Sequence, residues 1–472
     1  MITNEQREQE RELLQEEKKQ NPQLFERLPS VDSTEALSWI GIHGVLGEYP
    51  PAYIKYLPQD FVVEEISLEK SIHTVEKGDL WKTQEVSSLP VRGELVKMDC
   101  STLEAKDELV SQISSSPAVI GFAGIKDRFA LTSQAISFQN VSDAGAFSRL
   151  HNERWFLKNL ERKKGMIQNG ALWGNRFLVA LRTPQEIKEK EQERIKSTLK
   201  EVEKEGFWNF FSFQRFGTPR LNSHIAGKIL FQGDYKEAVK SFCTFRSDRE
   251  IPYFRSFRDH IEADWGNWET IYKRISPFPS NFPSELAMVG HLCRHPDDFL
   301  GALKTIPDQV RLWVYAYASY LFNKKLSNSI QEGDVSYELP FITSHNPRDW
   351  EAYQEFLQED GIRMPSRISK DFPFVTFASR ATPVLQKAEV HGIHFENKIA
   401  VIAFSLQKGC YAASFLAHLF QLASHLPILP GIDTTPIDVK NVLGLGSLDE
   451  TLEYFQPLIA RMEKDRDSQE EV

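Results

Sequence analysis

The segment that most constrains this chain is Gly121–Gln134, with the sequence GFAGIKDRFALTSQ. Small and apolar residues at 118–121 indicate the end of a buried strand, and 135–138 indicates a second short strand. Between them, the triplet Lys126-Asp127-Arg128 breaks the apolar run. An Asp flanked by cations stays ionised even when it is partly buried, so this is a sensible place for chemistry. The alternative is a surface turn with a solvated charge cluster, which local physics alone favours.

Length and composition indicate a multidomain globular protein. The 472 residues predict about two or three domains, and the 41% of hydrophobic residues supply sizeable cores. No apolar run approaches the roughly 18 residues of a spanning helix, and the polar N-terminus shows no signal peptide. The cysteines are scattered without a CxxC pair, at Cys100, Cys243, Cys293 and Cys410. This usage predicts a reducing, cytoplasmic location and no zinc or other metal site.

The charge distribution is uneven. A net charge of −10 opposes binding to nucleic acid, because an acidic protein repels phosphate. Residues 151–182 differ, with seven basic residues against two acidic ones and with Trp155, Phe156, Trp173 and Phe177 interleaved. Cations for phosphate and rings for unstacked bases are what an RNA-binding segment needs. A solvated charged face beside core aromatic residues is the simpler interpretation for most of these residues.

Hydrophobic patterning predicts the order of the elements. Residues 54–66 indicate a turn followed by a strand, because Pro58 fixes the turn and strand-forming residues follow. A helix is predicted from Thr183-Pro184 to about Gly206. The chain then becomes helix-rich from about 218 to 370, including an amphipathic helix over 307–327.

Four motifs together resemble the TruD family of pseudouridine synthases. The first is Gly-x-Lys-Asp-Arg-x-Ala-x-Thr-x-Gln over 124–134. The others are Lys-x-x-Pro-x-Asp-Phe-x-Val-x-Glu over 55–65, Gly-Ala-Leu-x-Gly-Asn-x-Phe over 170–177 and Asn-Phe-Phe-x-x-Gln-Arg-Phe-Gly over 209–217. The first motif is long and unusual in composition, so it is specific. The resemblance covers about 41–217 and 370–430 in separated blocks.

Two segments depart from the family pattern. Over 67–117 we do not find the usual Leu-Trp-Val stretch followed by Lys-x-Gly-x-x-Thr, and Leu80-Trp81-Lys82 is the candidate remnant. In the closing motif near 404–418, Ala413, Ala417 and His418 replace the family's Thr, Arg and Glu. The second departure indicates either altered packing or weakened RNA contacts.

The resemblance implies roles for individual residues. Asp127 is expected to be catalytic, and Lys55 to be its ion-pair partner although it lies 72 positions earlier. Asn175 and Phe177 are expected to face the active site, with the Phe177 ring stacking on the target base. The candidate RNA-binding residues are Lys126, Arg128, Lys163, Lys164, Arg176, Gln214 and Arg215.

The resemblance also implies the architecture. We expect an α+β fold, in which a pseudouridine synthase catalytic domain has a central, mostly antiparallel sheet flanked by helices. A helix-rich α+β TRUD domain is expected to be inserted into it. The predicted limits are a charged helical or disordered arm at 1–40, catalytic parts at 41–217 and 371–455, the insertion at 218–370 and a charged tail at 456–472.

The implied function is isomerisation of a uridine to pseudouridine in tRNA, with uridine 13 as first choice. Another site in tRNA or in a structured RNA is a related alternative, because the diverged insertion is the expected RNA-reading part. No cofactor is expected, since the reaction involves no redox change and no external nucleophile. We expect no membrane association and see no sign of an obligate protein partner.

Two other classes of function remain open at this point. A non-catalytic RNA-folding chaperone of the same fold fits the altered 413–418 segment and the acidic charge. A nucleoside or glycoside hydrolase with paired carboxylates would need a second acidic residue near Asp127, and the local candidates are poor.

Overall fold

The computed structural model describes residues 4–26, 31–47, 49–82, 89–113, 119–141, 145–342, 347–362, 367–375, 380–424 and 427–470. The chain divides into two compact units. The first, called the sheet unit, comprises Glu48–Phe207 and Gln386–Glu471. The second, called the helical unit, contains Met1–Gly47 and Trp208–Leu385. The predicted domain limits, which differ slightly from these borders, remain a prediction.

The described strands lie mostly in the sheet unit. In chain order they are β1 (Pro51–Ile54), β2 (Phe61–Ile66), β3 (Val91–Met98), β4 (Val119–Phe122), β5 (Leu131–Gln139), β6 (Trp155–Arg162), β7 (Gly174–Arg182), β8 (Phe207–Trp208), β9 (Glu338–Phe341), β10 (Arg380–Pro383), β11 (Leu385–Gln386), β12 (Ala388–Glu396), β13 (Ile399–Gln407) and β14 (Gln421–Ala423).

The described helices belong mostly to the helical unit. They are α1 (Asn4–Gln20), α2 (Thr34–Trp39), α3 (Thr102–Ile113), α4 (Gly145–Ser148), α5 (Glu189–Glu205), α6 (Ser223–Gln232), α7 (Tyr235–Thr244), α8 (Pro252–Ala263), α9 (Trp268–Ile275), α10 (Pro283–Leu292), α11 (Phe299–Lys304), α12 (Pro307–Glu332), α13 (Pro347–Glu351), α14 (Gln354–Glu359), α15 (Arg367–Asp371), α16 (Ala412–Leu416) and α17 (Asp449–Glu470). None of the described helices has the length and apolar character needed to cross a membrane.

One large sheet organises the sheet unit. Its main path has the order β12-β13-β7-β2-β5-β3-β6, with β1, β14 and β4 paired at its sides. The pairs β2–β5 and β1–β14 are parallel, and the other pairs are antiparallel. The prediction of an α+β fold with a mostly antiparallel central sheet is therefore confirmed.

Helices cover both faces of this sheet. On one face, called the site face, α5 and α16 pack against β7 and β13, and α3 packs near β5 and β6. On the opposite face, α17 packs against β2, β7 and β13. Side chains alternate between the faces along each strand. On the site face, register aligns Lys97, Thr132, Val63, Phe177 and Phe404 in one row across five strands.

Two predicted helices have different bounds from those expected. The helix expected from Thr183 begins at Glu189, because the Thr183 hydroxyl bonds to the carbonyls of Gln185 and Lys398 and keeps the segment outside the helix. The helix expected to end at residue 327 continues to Glu332. It ends there because Gly333 adopts the left-handed backbone conformation, with φ of 74°.

The helical unit is built around α12. A Cβ atom at Gly227 of α6 would lie 2.1 Å from the carbonyl oxygen of Trp313, so only glycine permits this close helix contact. The N-terminal segment also belongs to this unit. Its helix α1 is attached through the buried carboxylate of Glu10, which accepts bonds from the backbone N–H groups of Ser280 (2.8 Å) and Asn281 (3.2 Å).

Candidate active site

The charged triplet lies in the loop between β4 and β5. The Asp127 side chain is 38% exposed, so its carboxylate can be reached from solvent. The ammonium of Lys55 lies 3.6 Å from Asp127 Oδ2. It also lies 4.2 Å from the centre of the Phe61 ring. The structure therefore brings the two residues of the predicted pair within ion-pair distance.

The backbone of Lys55 is strained. Its φ of 59° lies in the left-handed region, which costs a non-glycine residue about 1–2 kcal/mol. The following turn is fixed by the buried pair of Arg182 and Asp60, whose two bonds measure 2.7 and 2.8 Å. Asp60 also accepts the backbone N–H of Leu57 at 3.0 Å. These bonds hold the turn that carries Lys55, which allows the strain to persist.

Lys126 does not lie where an RNA-binding residue should. Its side chain is only 4% exposed, and its ammonium lies 2.6 Å from Glu65 Oε2 on the site face. Its backbone N–H donates to Thr102 Oγ1 at 3.0 Å. The tight loop turns this cation inward while it presents Asp127 outward, so this placement does not favour the RNA-binding role of Lys126, which stays a prediction.

Further bonds hold the remainder of the Asp127 loop. Gln134 donates from Nε2 to the carbonyl of Gly124 at 2.9 Å, and its Oε1 accepts the Thr102 hydroxyl at 2.9 Å. Lys97 donates from Nζ to the main-chain carbonyl of Asp127 at 2.7 Å. The loop is thus held on both sides of Asp127, by contacts from β3, β5 and the start of α3.

Lys97 and Thr102 were missed by the sequence analysis. They have the spacing of the family's Lys-x-Gly-x-x-Thr, with Asp99 in place of glycine. Asp99 has a φ of 44°, the left-handed conformation for which glycine is the usual residue. The spacing alone could have located the motif at 97–102. The alternative remnant Leu80-Trp81-Lys82 instead lies beside β6, where Trp81 forms a parallel bridge with Leu160.

Asn175 and Phe177 lie on the site face of β7. A Cβ atom at the preceding Gly174 would stand 1.9 Å from the carbonyl oxygen of Leu406, so the motif's glycine is required by the neighbouring strand. The Phe177 ring is buried, with Phe404 stacked 5.3 Å away and Phe61 edge-on at 6.0 Å. Asn175 Oδ1 is buried and has no hydrogen-bond partner among the described residues. The Phe61 ring contacts both the Phe177 ring and the Lys55 ammonium, which in turn pairs with Asp127.

Arg176, a predicted RNA-binding residue, lies on the opposite face of the sheet. Strand alternation turns it away from Asn175 and Phe177. Its Nε donates to the buried Glu64 at 2.7 Å, and Nη2 adds a second contact to the same carboxylate. This guanidinium forms an internal ion pair, which does not favour contact with RNA, and the RNA-binding role of Arg176 stays a prediction.

The RNA-binding roles of the remaining candidate residues also stay predictions. Arg128 is exposed and lies 3.4 Å from Glu104 and 3.8 Å from Asp99. Lys163 and Lys164 are exposed near the end of β6. Gln214 and Arg215 belong to the helical unit, where the Arg215 guanidinium lies 5.5 Å from the Phe211 ring.

The altered closing motif has a local explanation. His418, at the family's Glu position, donates from Nδ1 to the carbonyl of Ser414 at 2.8 Å, just beyond the end of α16. Its ring lies 5.9 Å from that of Phe207. These contacts favour altered packing as the consequence of this substitution.

Comparison with known proteins identifies the family of the chain. Residues 51–340 match the family model described as tRNA pseudouridine synthase D (TruD), which is more than half of the chain. The chain belongs to the TruD family. Within the described residues of this TruD chain, no three His, Cys, Asp or Glu side chains converge as a metal site would require.

Individual relatives extend over most of this TruD chain. A probable tRNA pseudouridine synthase D of Methanopyrus kandleri is 30% identical over 348 residues, which are 69% of this chain and 84% of the relative. A second relative with this description, from Methanosarcina barkeri, is 32% identical and covers 67% and 70% of the two chains. A third, numbered D 1, from Methanocaldococcus jannaschii, is 27% identical over 79% of this chain.

A solved structure shares the fold. The crystal structure of a protein described as tRNA pseudouridine synthase D from Methanosarcina mazei superposes with a TM-score of 0.63. It covers 81% of this chain and 97% of that chain, with 22% sequence identity. At this identity the likeness establishes the fold of the chain and nothing finer.

Proposed function

We propose that this protein converts a uridine of tRNA into pseudouridine, with Asp127 as the catalytic residue. The observation that carries the proposal is the half-exposed Asp127 carboxylate, 3.6 Å from the Lys55 ammonium on a loop held from both sides. Uridine 13 is the first choice of target by family analogy. The family relationship supports the reaction and the class of RNA.

The reaction suits one ionised carboxylate. The N1–C1′ glycosidic bond of the uridine breaks and the uracil turns within the site. A new bond then forms between C1′ and C5, C5 loses a proton and N1 gains one, so that the product is an isomer of uridine. Asp127 acts as nucleophile or as base in this sequence, in the way that glycosidase carboxylates act. The Lys55 ammonium stabilises the negative charge of Asp127. Nothing is oxidised or reduced, so these residues need no cofactor.

The aromatic ring and the amide provide a place for the base. Extracting a base from its stack costs roughly a few kcal/mol, and stacking on an aromatic ring returns about 1–3 kcal/mol. Phe177 is the ring proposed for this role, and it lies beside the rings of Phe404 and Phe61. Asn175 Oδ1, which has no partner among the described residues, can accept an N–H of uracil.

Tritium release from tRNA transcripts labelled at C5 of uridine tests the proposal. C5–H is lost only when the base is rejoined through C5, so release by the wild type identifies the reaction. Asp127→Asn should bind the tRNA and release no tritium. Turnover by Asp127→Asn at the wild-type rate would refute the assignment. Tight binding by the wild type without release from any tRNA would favour an RNA-folding chaperone. A separate transcript with cytidine at position 13 tests the target, because it should release no tritium if uridine 13 is the one modified.

A further inference from the structure

The Lys97 side chain is buried in an unusual way. It lies on β3 with no exposure to solvent, and its ammonium donates to the main-chain carbonyl of Asp127 at 2.7 Å. Lysine is almost never fully buried unless it is paired, because removing its charge from water is costly. No carboxylate forms an ion pair with Lys97 in the described part of the chain. Because burying the Lys97 ammonium costs free energy, we expect its bond to the Asp127 carbonyl to have a role.

The contact acts on the backbone of the proposed catalytic residue. The carbonyl belongs to Asp127 itself, and fixing that peptide unit fixes the base of the side chain that carries the carboxylate. We propose that Lys97 is a positioning residue, which holds the Asp127 carboxylate in its reactive place by binding the Asp127 main-chain oxygen. This inference rests on the proposed function of Asp127.

Lys158 provides a matched comparison within the same sheet. It lies on β6 and is also buried, and its ammonium also donates to main-chain carbonyls, those of Thr74 (2.7 Å) and Glu76 (2.5 Å). It additionally lies 3.4 Å from Glu94. Lys158 points to the opposite face and holds a loop without a proposed catalytic residue. A purely structural role predicts the same consequences for both lysines, and a positioning role does not.

The charge state of Lys97 adds a second signature. Burial lowers the pKa of Lys97 to about 8, although nearby Cys100, Asp127 and Glu104 oppose the shift and Lys126 reinforces it. Deprotonation replaces a charge-assisted bond to the Asp127 carbonyl with a weaker one. The rate should therefore fall as the pH rises through this pKa.

Stability should respond in the opposite direction. The folded-state pKa of Lys97 is lower than the ordinary value of 10.5. Between these two values the unfolded chain binds more protons than the folded chain, so the contribution of Lys97 to the free energy of unfolding rises with pH. Titration of Lys97 therefore does not destabilise the fold as the pH rises. A fall in rate over this range cannot be explained by unfolding that this group causes.

The experiment compares Lys97→Met with Lys158→Met and Asp127→Asn in single-turnover tritium release at pH 7. Lys97→Met should lower the rate about 100-fold, the typical effect of a 1 Å displacement in a reacting geometry, while the dissociation constant for tRNA stays within about twofold of the wild-type value. Lys158→Met should lose stability in urea but keep the wild-type rate in its folded fraction. Folded Lys97→Met with the wild-type rate would overturn the inference.

The pH profile tests the inference without depending on the folding of Lys97→Met. The wild-type rate should fall between pH 7 and 9, and Lys97→Arg should not show this fall because its guanidinium stays charged. A wild-type rate that is flat over this range would overturn the inference. These outcomes are distinct from failure of the proposed function, which would appear as wild-type turnover by Asp127→Asn.

Discussion

Two adjacent carboxylates of β2, Glu64 and Glu65, lie on opposite faces of the central sheet. Glu64 has no solvent exposure and accepts bonds from Val75 N (2.9 Å), Lys440 Nζ (2.7 Å) and Arg176 Nε (2.7 Å). Glu65 pairs with Lys126, next to Asp127. On this site face, the Asp127 carboxylate remains partly exposed.

We call an ionic network closed when its charges are fully paired within the protein, and open when a charge can still bind a ligand. Glu64 belongs to a closed network and Asp127 to an open one. On the opposite face, the Glu64 carboxylate has its bonding capacity filled by groups of the protein, and it attaches two loops to the sheet. On the site face, the buried pair of Glu65 and Lys126 supports a carboxylate that can still reach a ligand. Buried charges that are fully paired serve structure, whereas function needs a charge with unused capacity.

The largest effect on the closed face should come from Glu64→Ala. The substitution leaves Arg176 and Lys440 without their shared buried carboxylate, which should cost about 3–5 kcal/mol of stability. Urea denaturation measures this loss, and tritium release per folded molecule should be unchanged. Asp127→Asn is the crossed control, with lost activity and little change in stability. A Glu64→Ala protein of wild-type stability would contradict the closed network.

Asn175 and Arg176 permit a comparison between neighbours in sequence. Arg176→Met should cost about 1.5–3 kcal/mol, since it removes bonds to the charged Glu64, and should leave the rate intact. Asn175→Ala should lower the rate about 10- to 100-fold, because it removes one polar contact to the reacting base. Its stability should change little, since Asn175 Oδ1 has no partner among the described residues. If Arg176→Met instead weakened tRNA binding with stability unchanged, the predicted RNA-binding role of Arg176 would be supported and the closed network contradicted.

The smallest effect should come from Ser133→Ala. Ser133 lies beside Glu64 in register, and its hydroxyl is buried without a partner in the described part of the chain. Replacing such a group with an apolar one should change the free energy of unfolding by less than about 1 kcal/mol, towards stability if at all. Thermal unfolding and tritium release should both match the wild type. A substantial loss of rate would show that the opposite face also takes part in the reaction.

The sequence predicted much of this arrangement through its motifs. The proximity of Lys55 and Asp127 could not come from local patterning, because 72 positions separate them, and it was expected only from the resemblance. Lys97 and Thr102 were missed because Asp99 occupies a left-handed position where the family motif has glycine. The ion pairs of Lys126 with Glu65 and of Arg176 with Glu64 could not be read from the sequence, because each joins segments that are distant along the chain.

The sequence by itself determined the family, the α+β class and the helix-rich character of the middle segment. These follow from local patterns and from motifs a few residues long. Only the tertiary structure decided which charged groups are fully paired within the protein and which can still bind a ligand. Side chains alternate along a strand with a period of two, so neighbouring residues must lie on opposite faces of the sheet. This holds for Glu64 and Glu65 and for Asn175 and Arg176. Which face is closed depends on partners such as Lys440, which lies 376 positions from Glu64 and approaches it only in the folded chain.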